Sequence, residues 1–473
     1  MPESTTTGPD RPAIRQVSVA ARLNRLPITR FHRVATIVIG VGTFFDLFDI
    51  FLAGVLATVL TQEFGLTRLS LPAVIASSFL GMFVGSVALG SIADRFGRRR
   101  AFLWTLAIYS LATLAGAFSP NAAVLIASRF VAGLGLGAEL PLVDTYLSEL
   151  LPAADRGRYI VYAYTIGFFG VPGVGLLGRT LVAHHPLGWD GWRWLFVIGS
   201  LGSFAVWTLR RWLPESPRWL ESVGRAAEAD AVVRAIEQEA ERQGPLPPVE
   251  AGEPVTTTPR SFEVLFRPEY RRRTIMLWIF QVFQAIGYYG FGTLVPLVLA
   301  AKGYSVINSL TYTALAYLGY PGGSALSLLV VERYERKWLI VGSAALMSAF
   351  GLGLGYSHSA VAIVAMGFAY TLVANIFSNA LHIFQAEIFP TSVRATAAGT
   401  AYGLSRLSIA VMPFVLVPVL QQFGPGAMFA VVAAALWIVI VDIAVLAPNT
   451  TGRSLESVNE AGASQAGRAG VSG

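Results

Sequence analysis

Long apolar stretches recur along this chain and constrain its fold more than any other feature. Each is about 20 residues long, the length that a helix needs to cross a hydrocarbon core about 30 Å thick. Charged residues make up 13% of the 473 residues, against about 25% in a typical soluble domain. Because a transmembrane barrel would instead show short alternating segments, the sequence predicts an all-α polytopic membrane protein.

Twelve membrane spans are expected, separated by clusters of Gly, Pro and charged residues. The first six are predicted at about 34–60, 71–93, 101–118, 122–148, 158–183 and 192–212. The second six are predicted at about 272–300, 308–331, 337–356, 360–385, 395–420 and 427–447. The predicted domains are an N-terminal tail (1–33), a six-helix bundle (34–212), a linker (213–270), a second six-helix bundle (271–447) and a C-terminal tail (448–473). Within the linker, the stretch 224–244 is rich in Ala, Glu and Arg and predicts an amphipathic surface helix.

The distribution of basic residues predicts the orientation. Twenty-nine of the 35 Lys and Arg are assigned to the tails and to the connections that follow even-numbered spans. The connections after odd-numbered spans hold only Arg68, Arg193 and Lys302, while Arg129, Arg179 and Arg406 fall inside spans. The positive-inside rule then places both termini and the linker in the cytoplasm, with the chain in the cell membrane. Because the net charge of +7 is spread between spans, we expect the lipid bilayer and no nucleic acid as a partner.

Two motifs recur 238 residues apart. DRFGRR (94–99) follows the second span, and ERYERK (332–337) follows the eighth. A Glu-x-x-Pro-x-x-x-Arg motif begins at Glu149 after the fourth span and again at Glu387 after the tenth. Two independent matches at one offset indicate a duplicated six-span unit. Parallel repeats of this kind place a substrate site near the membrane midplane between two rocking halves, which favours a transporter over an enzyme or a channel.

Several longer stretches resemble the major facilitator superfamily of transporters. They are GSIADRFGRRR (90–100), RFVAGLGLGAELP (129–141) and, in its sugar-porter-like branch, PESPRWL (214–220), AEIFPTSVRATAAG (386–399) and PNTTGRSLES (448–457). FFDLFDIFLAG (44–54) and GLGLGAELPLVDTYLSELLP (133–152) are similar to bacterial niacin permeases, synaptic-vesicle-protein-like carriers and aromatic-acid/proton symporters. The resemblance implies a proton-coupled transporter of a small organic acid, such as a nicotinate-like aromatic carboxylate.

Two aspartates lie near the middle of the first span, where a carboxylate is costly. As an i, i+3 pair, Asp46 and Asp49 share one helix face. At this depth the two carboxyl groups must face a water-filled cavity, pair with a cation or stay protonated. A carboxyl group that takes up and releases a proton can couple transport to a proton gradient. Arg129 in the fourth span is the candidate cation, and a static ion pair and proton coupling both stay open. Glu139 is a candidate for proton coupling or for a hydrogen bond to a neighbouring helix.

Arg406 in the eleventh span is the candidate that grips a substrate carboxylate, because a guanidinium matches a carboxylate with two hydrogen bonds. A second structural ion pair is the alternative. The 238-residue offset maps Asp46 onto Gln284, which predicts ion coupling in the first half and substrate contact in the second. The other substrate candidates are polar or aromatic residues of the seventh and tenth spans: Gln281, Gln284, Tyr288, Tyr289, Asn379 and His382. His382 is also a candidate proton site, or simply a hydrogen-bonded histidine.

Charged residues of the recurring motifs are predicted to form a cytoplasmic gate. In the first half they are Asp94, Arg95, Arg98, Glu149 and Arg156, and in the second half Glu332, Arg333, Glu387 and Arg394. Ion pairs among them would lock the inner end while the carrier faces outward, and would break as it opens inward. The alternative is that these residues are solvated anchors at the ends of spans.

Other chemistries are excluded or disfavoured by the sequence. The chain has no cysteine, so it forms no disulfide and no thiolate metal site. The glycines of GLGLG (133–137) lie in an apolar span and favour helix packing, and no G-x-x-x-x-G-K-[ST] loop is present for ATP. We expect a monomer without metal or cofactor, with the proton as coupling ion. Two rival functions stay open: a carrier of sugars, polyols or neutral metabolites, and a membrane sensor that keeps the carrier fold.

Overall fold

The apolar stretches of the sequence form helices. The computed structural model describes residues 18–88, 95–249, 262–331, 333–389 and 391–450, and these residues contain no strand. The helices of the first half are α1 (Val19–Asn24), α2 (Arg30–Val55), α3 (Ala57–Phe64), α4 (Ser70–Ala88), α5 (Arg98–Ala117), α6 (Ala122–Leu150), α7 (Arg156–Phe168), α8 (Gly170–Val182) and α9 (Gly191–Arg210). The others are α10 (Pro217–Ser222), α11 (Ala226–Glu241), α12 (Pro268–Ala301), α13 (Val306–Tyr317), α14 (Gly319–Val330), α15 (Arg336–Tyr356), α16 (Ala360–Glu387) and α17 (Thr391–Leu446).

These helices supply twelve membrane spans, as the sequence predicts. Eight of the described helices are long and apolar enough to cross a membrane by themselves. The second span is α4, the sixth is α9, and the eighth consists of α13 and α14. α17 contains the last two spans, because its 56 residues correspond to about 84 Å of helix. It breaks at Gly424, where a φ of 82° suits glycine, directly before Pro425.

Two interrupted spans join the halves of the molecule. The helix of the fifth span is interrupted at Phe169, between α7 and α8, and that of the eighth at Leu318, between α13 and α14. α8 lies against α13, and α7 lies against α14. The approach is close, since a Cβ added to Gly175 would lie 2.9 Å from the Cβ of Ala314.

Glycines allow the fourth span to pack tightly on the second. A Cβ added to Gly133 would lie 2.1 Å from the backbone oxygen of Ser78, and one added to Gly137 would lie 2.2 Å from that of Met82. No side chain fits at such distances, so α6 can approach α4 in this way only with glycine at these positions. The contact confirms that the run of glycines at 133–137 serves helix packing.

A small helical layer made of α1, α10 and α11 covers one end of the bundles, which we call the linker end. Apolar side chains of the three helices pack together there, and α11 lies within the predicted surface helix. Arg22 forms ion pairs with Asp230 (2.6 Å) and Glu237 (2.5 Å). Hydrogen bonds from Arg234 and Arg22 lower the pKa of Asp230 to about 2. The carboxylate therefore stays charged at neutral pH, and these ion pairs tie α1 to α11.

Candidate functional site

A cavity lies between the two halves, where the parallel repeat predicts the substrate site. Its empty volume is about 790 Å³ when the space of its open mouth is included. The first, fourth and fifth spans line it from one half, and the seventh, tenth and eleventh spans from the other. Its lining is aromatic at Tyr164, Phe168, Tyr288, Tyr289 and Tyr402, polar or charged at Asp144, Gln281, Gln284, Ser378, His382, Ser405 and Arg406, and apolar at Leu47, Leu140, Pro141 and Leu381.

The cavity is closed at the far end, which is the end opposite the linker end. There Phe51 of the first span contacts three aromatic rings of the second half, with ring centres 5.9–6.2 Å apart; they are Tyr289, Tyr317 and Tyr320. Gly54 lies so close to the backbone of Thr293 that an added Cβ would be 2.5 Å from its oxygen. At the other end of the cavity, toward the linker end, the lining residue His382 is exposed. The cavity is therefore open toward the linker end.

Arg406 is the basic residue of the cavity. Only 7% of its surface is exposed, and its Nη1 donates a hydrogen bond to the Tyr289 hydroxyl at 3.1 Å. Its guanidinium lies 5.8 Å from the centre of the same ring. Arg406 forms no ion pair with any residue that the structure describes, so the structural pair that the sequence left open is not seen there. A buried guanidinium without an acid partner favours an anionic ligand.

Five other candidates for substrate contact also line the cavity: Gln281, Gln284, Tyr288, Tyr289 and His382. The glutamines form a chain of amides, in which Gln284 Nε2 donates to Gln281 Oε1 at 2.9 Å and Gln281 Nε2 donates to Gln385 Oε1 at 2.8 Å. His382 Nε2 lies 3.3 Å from the Tyr402 hydroxyl. The second half thus presents neutral hydrogen-bonding groups beside the single cation Arg406.

Asn379 lies outside this lining, which corrects its assignment as a contact residue. Its Nδ2 donates a hydrogen bond to Ser327 Oγ on α14 at 2.6 Å. Ser378, Leu381 and His382 share the cavity face of α16 at i, i+3 and i+4 spacing. Position 379 is about 100° around the helix from position 378, so the Asn379 side chain joins two helices instead of reaching the cavity.

Asp144 is a cavity residue that the sequence reasoning missed. It belongs to α6, and its Oδ1 accepts a hydrogen bond from the Tyr164 hydroxyl at 2.9 Å. Tyr164 and Tyr402 on neighbouring walls were missed as well. A signal was present in the sequence, because an acid inside an apolar span is a candidate functional residue by itself, and Asp144 comes five residues after Glu139.

A buried ion pair joins the first and fourth spans. Arg129 Nη1 lies 2.9 Å from both carboxylate oxygens of Asp49, and its Nη2 donates to the Asp49 backbone oxygen at 2.8 Å. Thr113 Oγ1 donates to the same carboxylate at 2.9 Å, and Ser78 Oγ accepts from Arg129 at 3.2 Å. Both charged side chains are at most 1% exposed. Of the two aspartates, the structure pairs Asp49 with Arg129.

A second buried ion pair joins Glu139 to Arg210, and Thr105 Oγ1 also donates to Glu139 at 2.7 Å. Arg210 lies at the end of the predicted sixth span and was not singled out as a buried charge, whereas it ends α9 and is 2% exposed. Asp46 is fully buried, and neither of its carboxylate oxygens forms a hydrogen bond of normal geometry with a described residue, although the Tyr109 hydroxyl and Arg210 are close enough to interact with it. None of Asp46, Asp49, Arg129 and Glu139 lines the cavity. The buried charges of the first half, two arginines and three acids, therefore lie behind the cavity wall.

The recurring motifs form equivalent ion pairs at the linker end of each half. Arg98 Nη2 lies 3.0 Å from Glu149 Oε1, and Arg336 Nη2 lies 3.6 Å from Glu387 Oε1. Each partner in the second pair is 238 residues after its counterpart. Each pair joins residues of the same half, so neither pair connects the two halves. The partner of Glu387 is Arg336, which was not among the predicted gate residues.

The other predicted gate residues form no such pair in the described part of the chain. Arg95 and Arg333 are exposed, and Arg156 donates only to the backbone oxygen of Leu151, at 3.5 Å. Asp94 and Glu332 lie outside the described residues, as does the Arg394 side chain.

The fold and the cavity define a membrane transporter with two six-span halves around a central site. A family model described as "Sugar (and other) transporter" matches residues 35–461. The chain therefore belongs to this transporter family and is not an enzyme.

Curated relatives cover most of the chain. The putative metabolite transport protein YyaJ of Bacillus subtilis (strain 168) is 34% identical over 83% of this chain and 86% of its own length. The niacin transporter NiaP of Acinetobacter baylyi is 32% identical over 93% of this chain and 100% of its own length. The gallate transporter of Pseudomonas putida is 28% identical over 82% of this chain and 86% of its own length.

Solved structures show the same fold. The partially occluded inward-open conformation of the xylose transporter XylE from E. coli superposes with a TM-score of 0.75 and 20% identity, covering 90% of this chain and 99% of XylE. This likeness confirms the predicted architecture of twelve spans in two halves.

Proposed function

We propose that this transporter carries a small aromatic carboxylate of the nicotinate type, together with protons, across the cytoplasmic membrane by alternating access. The observation that carries the proposal is Arg406, a buried guanidinium with no acid partner in the described part of the chain, in a cavity with five aromatic residues in its lining. An aromatic carboxylate would supply the missing negative charge and a ring that packs on the tyrosines. Niacin and gallate, the substrates named for two relatives, have this chemistry.

Proton coupling is assigned to the buried charges of the first half. Three acids and two arginines lie there, so one negative charge remains without a cation unless a proton is bound. Asp46 is the acid without a hydrogen bond of normal geometry, and an unpaired carboxylate at this depth is costly. We assign the transported proton to Asp46, with the ion pairs of Asp49 and Glu139 holding the surrounding helices. The proton is the coupling ion, and the proposal includes no cofactor.

The linker end is the cytoplasmic end in this proposal, because the basic connections and both predicted tails lie on that side. The cavity described above then faces the cytoplasm. Each chain contains both halves of one cavity, so we propose that the protein works as a monomer.

A carrier of sugars or other neutral solutes is the second candidate. It is favoured by the amide chain of Gln284, Gln281 and Gln385 in the cavity wall, because amides both donate and accept hydrogen bonds to hydroxyl groups. Arg406 weighs against it, since a neutral sugar would leave the buried guanidinium without a counter-charge.

Uptake by purified protein in proteoliposomes tests the proposal. With the interior made alkaline, nicotinate should accumulate, while xylose should not. Arg406→Gln should lower carboxylate uptake by at least about tenfold, the effect expected when a charged hydrogen-bond donor is lost. Arg179→Gln is the matched control, since Arg179 is an exposed arginine of α8 outside the cavity lining.

Each alternative has its own outcome in this assay. Accumulation of xylose without accumulation of carboxylates would replace the proposed substrate class. Equal effects of Arg406→Gln on charged and neutral solutes would remove the argument for an acid. Absence of uptake under every gradient, with ligand binding retained, would indicate a sensor.

A further inference from the structure

We infer that Asp144 recognises a hydrogen-bond donor on the ring of the transported acid. The inference rests on the proposed function, in which Arg406 holds the carboxylate. It narrows the substrate class to aromatic carboxylates that also carry a hydroxyl group, an amino group or a protonated ring nitrogen.

The geometry of Asp144 leaves it able to bind a ligand. The residue lines the cavity, and Tyr164 donates a hydrogen bond to its Oδ1 at 2.9 Å. Its Oδ2 forms no hydrogen bond with any other described residue and is not sealed from the cavity. An ionised carboxylate can accept about four hydrogen bonds, so Asp144 keeps acceptor capacity that faces the bound solute.

Asp144 and Arg406 place opposite charges on opposite halves of the cavity. Neither residue forms an ion pair in the described part of the chain, so the two charges do not neutralise each other by direct contact. Asp144, Arg406 and Tyr402 all line the same cavity, so the two charges face one space. A solute that is negative at one edge and donates a hydrogen bond at another would contact both residues at once, and would thereby bridge the two halves.

Benzoate provides the comparison, because it has the carboxylate and the ring but no second polar group. When benzoate fills the cavity, the Asp144 carboxylate loses water without gaining a partner. A site built to bind a polar group discriminates strongly against a ligand that lacks it. The acids behind the wall, Asp46, Asp49 and Glu139, do not line the cavity, so Asp144 is the acid placed to make this distinction.

Competition binding to the purified full-length protein tests the inference. Benzoate is compared with 3- and 4-hydroxybenzoate and with 3- and 4-aminobenzoate. The unmodified protein should bind the best donor-bearing acid at least about tenfold more tightly than benzoate, as expected for a hydrogen bond to a charged group. Asp144→Ala should reduce this ratio to about twofold or less, and Asp144→Asn should reduce it partly.

Two control variants separate recognition from a general effect of removing a polar group. Asp442→Asn changes another buried acid, which lies on α17 outside the cavity lining, and should leave the ratio unchanged. Tyr164→Phe removes the hydrogen bond to Asp144 but keeps the carboxylate, so the preference for donor-bearing acids should persist. Gel filtration and thermal melting establish whether each variant is folded. If the Asp144→Ala variant is not folded, the affinity ratio of the Asp144→Asn variant tests the role of Asp144.

The outcomes distinguish this inference from the proposed function. Equal affinity of the unmodified protein for benzoate and all four donor-bearing acids would overturn the inference and leave the proposed function standing. Binding of none of these acids would overturn the proposed function itself. An unchanged ratio in the Asp144 variants, with proton-driven accumulation lost, would show that Asp144 serves coupling instead of recognition.

Discussion

Asp46 and Asp49 are less than one helical turn apart, yet their surroundings differ. Asp49 binds Arg129 through its carboxylate and its backbone oxygen, and Thr113 adds a further hydrogen bond. Asp46 is equally buried and forms no hydrogen bond of normal geometry with a described residue. A residue that must gain and lose a proton needs few fixed partners, whereas a residue that holds helices together needs many. The contacts therefore assign the two aspartates different roles.

Replacing each aspartate by asparagine should separate these roles. Asp46→Asn removes no ion pair, so thermal stability and solute exchange should stay near normal while proton-driven accumulation is lost. Asp49→Asn leaves Arg129 charged and unpaired in a buried site, which costs about 3–5 kcal/mol and should lower the unfolding temperature. Thermal melting in detergent, counterflow exchange and pH-driven uptake in proteoliposomes measure the three effects.

The Asp442→Asn variant is the control here too, because it removes a buried acid away from both ion pairs. It should change neither exchange nor accumulation. Normal pH-driven accumulation by the Asp46→Asn variant would contradict the assignment of the proton to Asp46.

Single residues also show where prediction from the sequence stops. Asp46, Asp49 and Arg129 are conspicuous because each is a charge within an apolar run. Arg210 was not found because Arg211 follows it at the end of a span, where arginines usually mark the membrane border. Only the packing of the helices distinguishes the two residues: Arg210 is 2% exposed, whereas Arg211 lies on the surface. The partner of Glu139 could be known only from the fold.

At the scale of elements, α6 combines close helix packing, buried ion pairs and a face on the cavity along its 29 residues. Its glycines lie against α4, while Arg129 and Glu139 reach the buried charges of the first half. Asp144 of the same helix faces the cavity. The close helix contact fixes the rotation of α6, and this rotation decides which acid faces the solute and which faces a neighbouring helix.

Gly133→Val should therefore destabilise the first half. A Cβ at this position would lie 2.1 Å from the Ser78 backbone oxygen, and overpacking of this kind typically costs about 1–3 kcal/mol. The unfolding temperature in detergent should fall. Gly342→Ala, in α15, is the matched control, because an added Cβ there meets no atom within 4 Å and alanine favours the helix. A Gly133→Val variant as stable as the Gly342→Ala variant would contradict the packing argument.

Helix positions were predicted more accurately than helix shapes. The first and seventh spans begin at Arg30 and Pro268, each close to the predicted start, because charges and apolar runs mark helix ends in the sequence. The interruptions at Phe169 and Leu318 were not predicted. They lie in the two spans that pack across the halves, and local sequence patterns do not reveal a partner helix about 150 residues away in the chain.

At the scale of the whole molecule, the duplication is structural as well as sequential. Arg98 with Glu149 and Arg336 with Glu387 form the same contact in both halves. The side chains differ on this common frame, since the first half carries two buried ion pairs and Gln284 occupies the position that corresponds to Asp46. The repeat was visible in the sequence. That these ion pairs lie within each half became visible only in the structure. The two halves also meet at the far end, where Gly54 lies close to Thr293.

Gly54→Trp should prevent the far end from closing. In the closed arrangement even a Cβ would lie 2.5 Å from the Thr293 oxygen, so an indole forces the first and seventh spans apart. Because alternating access requires this contact to form in every cycle, transport should stop while ligand binding persists. Gly322→Trp is the control, since Gly322 is exposed on α14 and an added Cβ meets no atom within 4 Å.

The chain has no cysteine, so Thr293→Cys provides a unique reporter, buried in the closed state. Its labelling by an impermeant maleimide from the far side should rise in the Gly54→Trp background, and normal transport by that variant would show that the far end does not need to close.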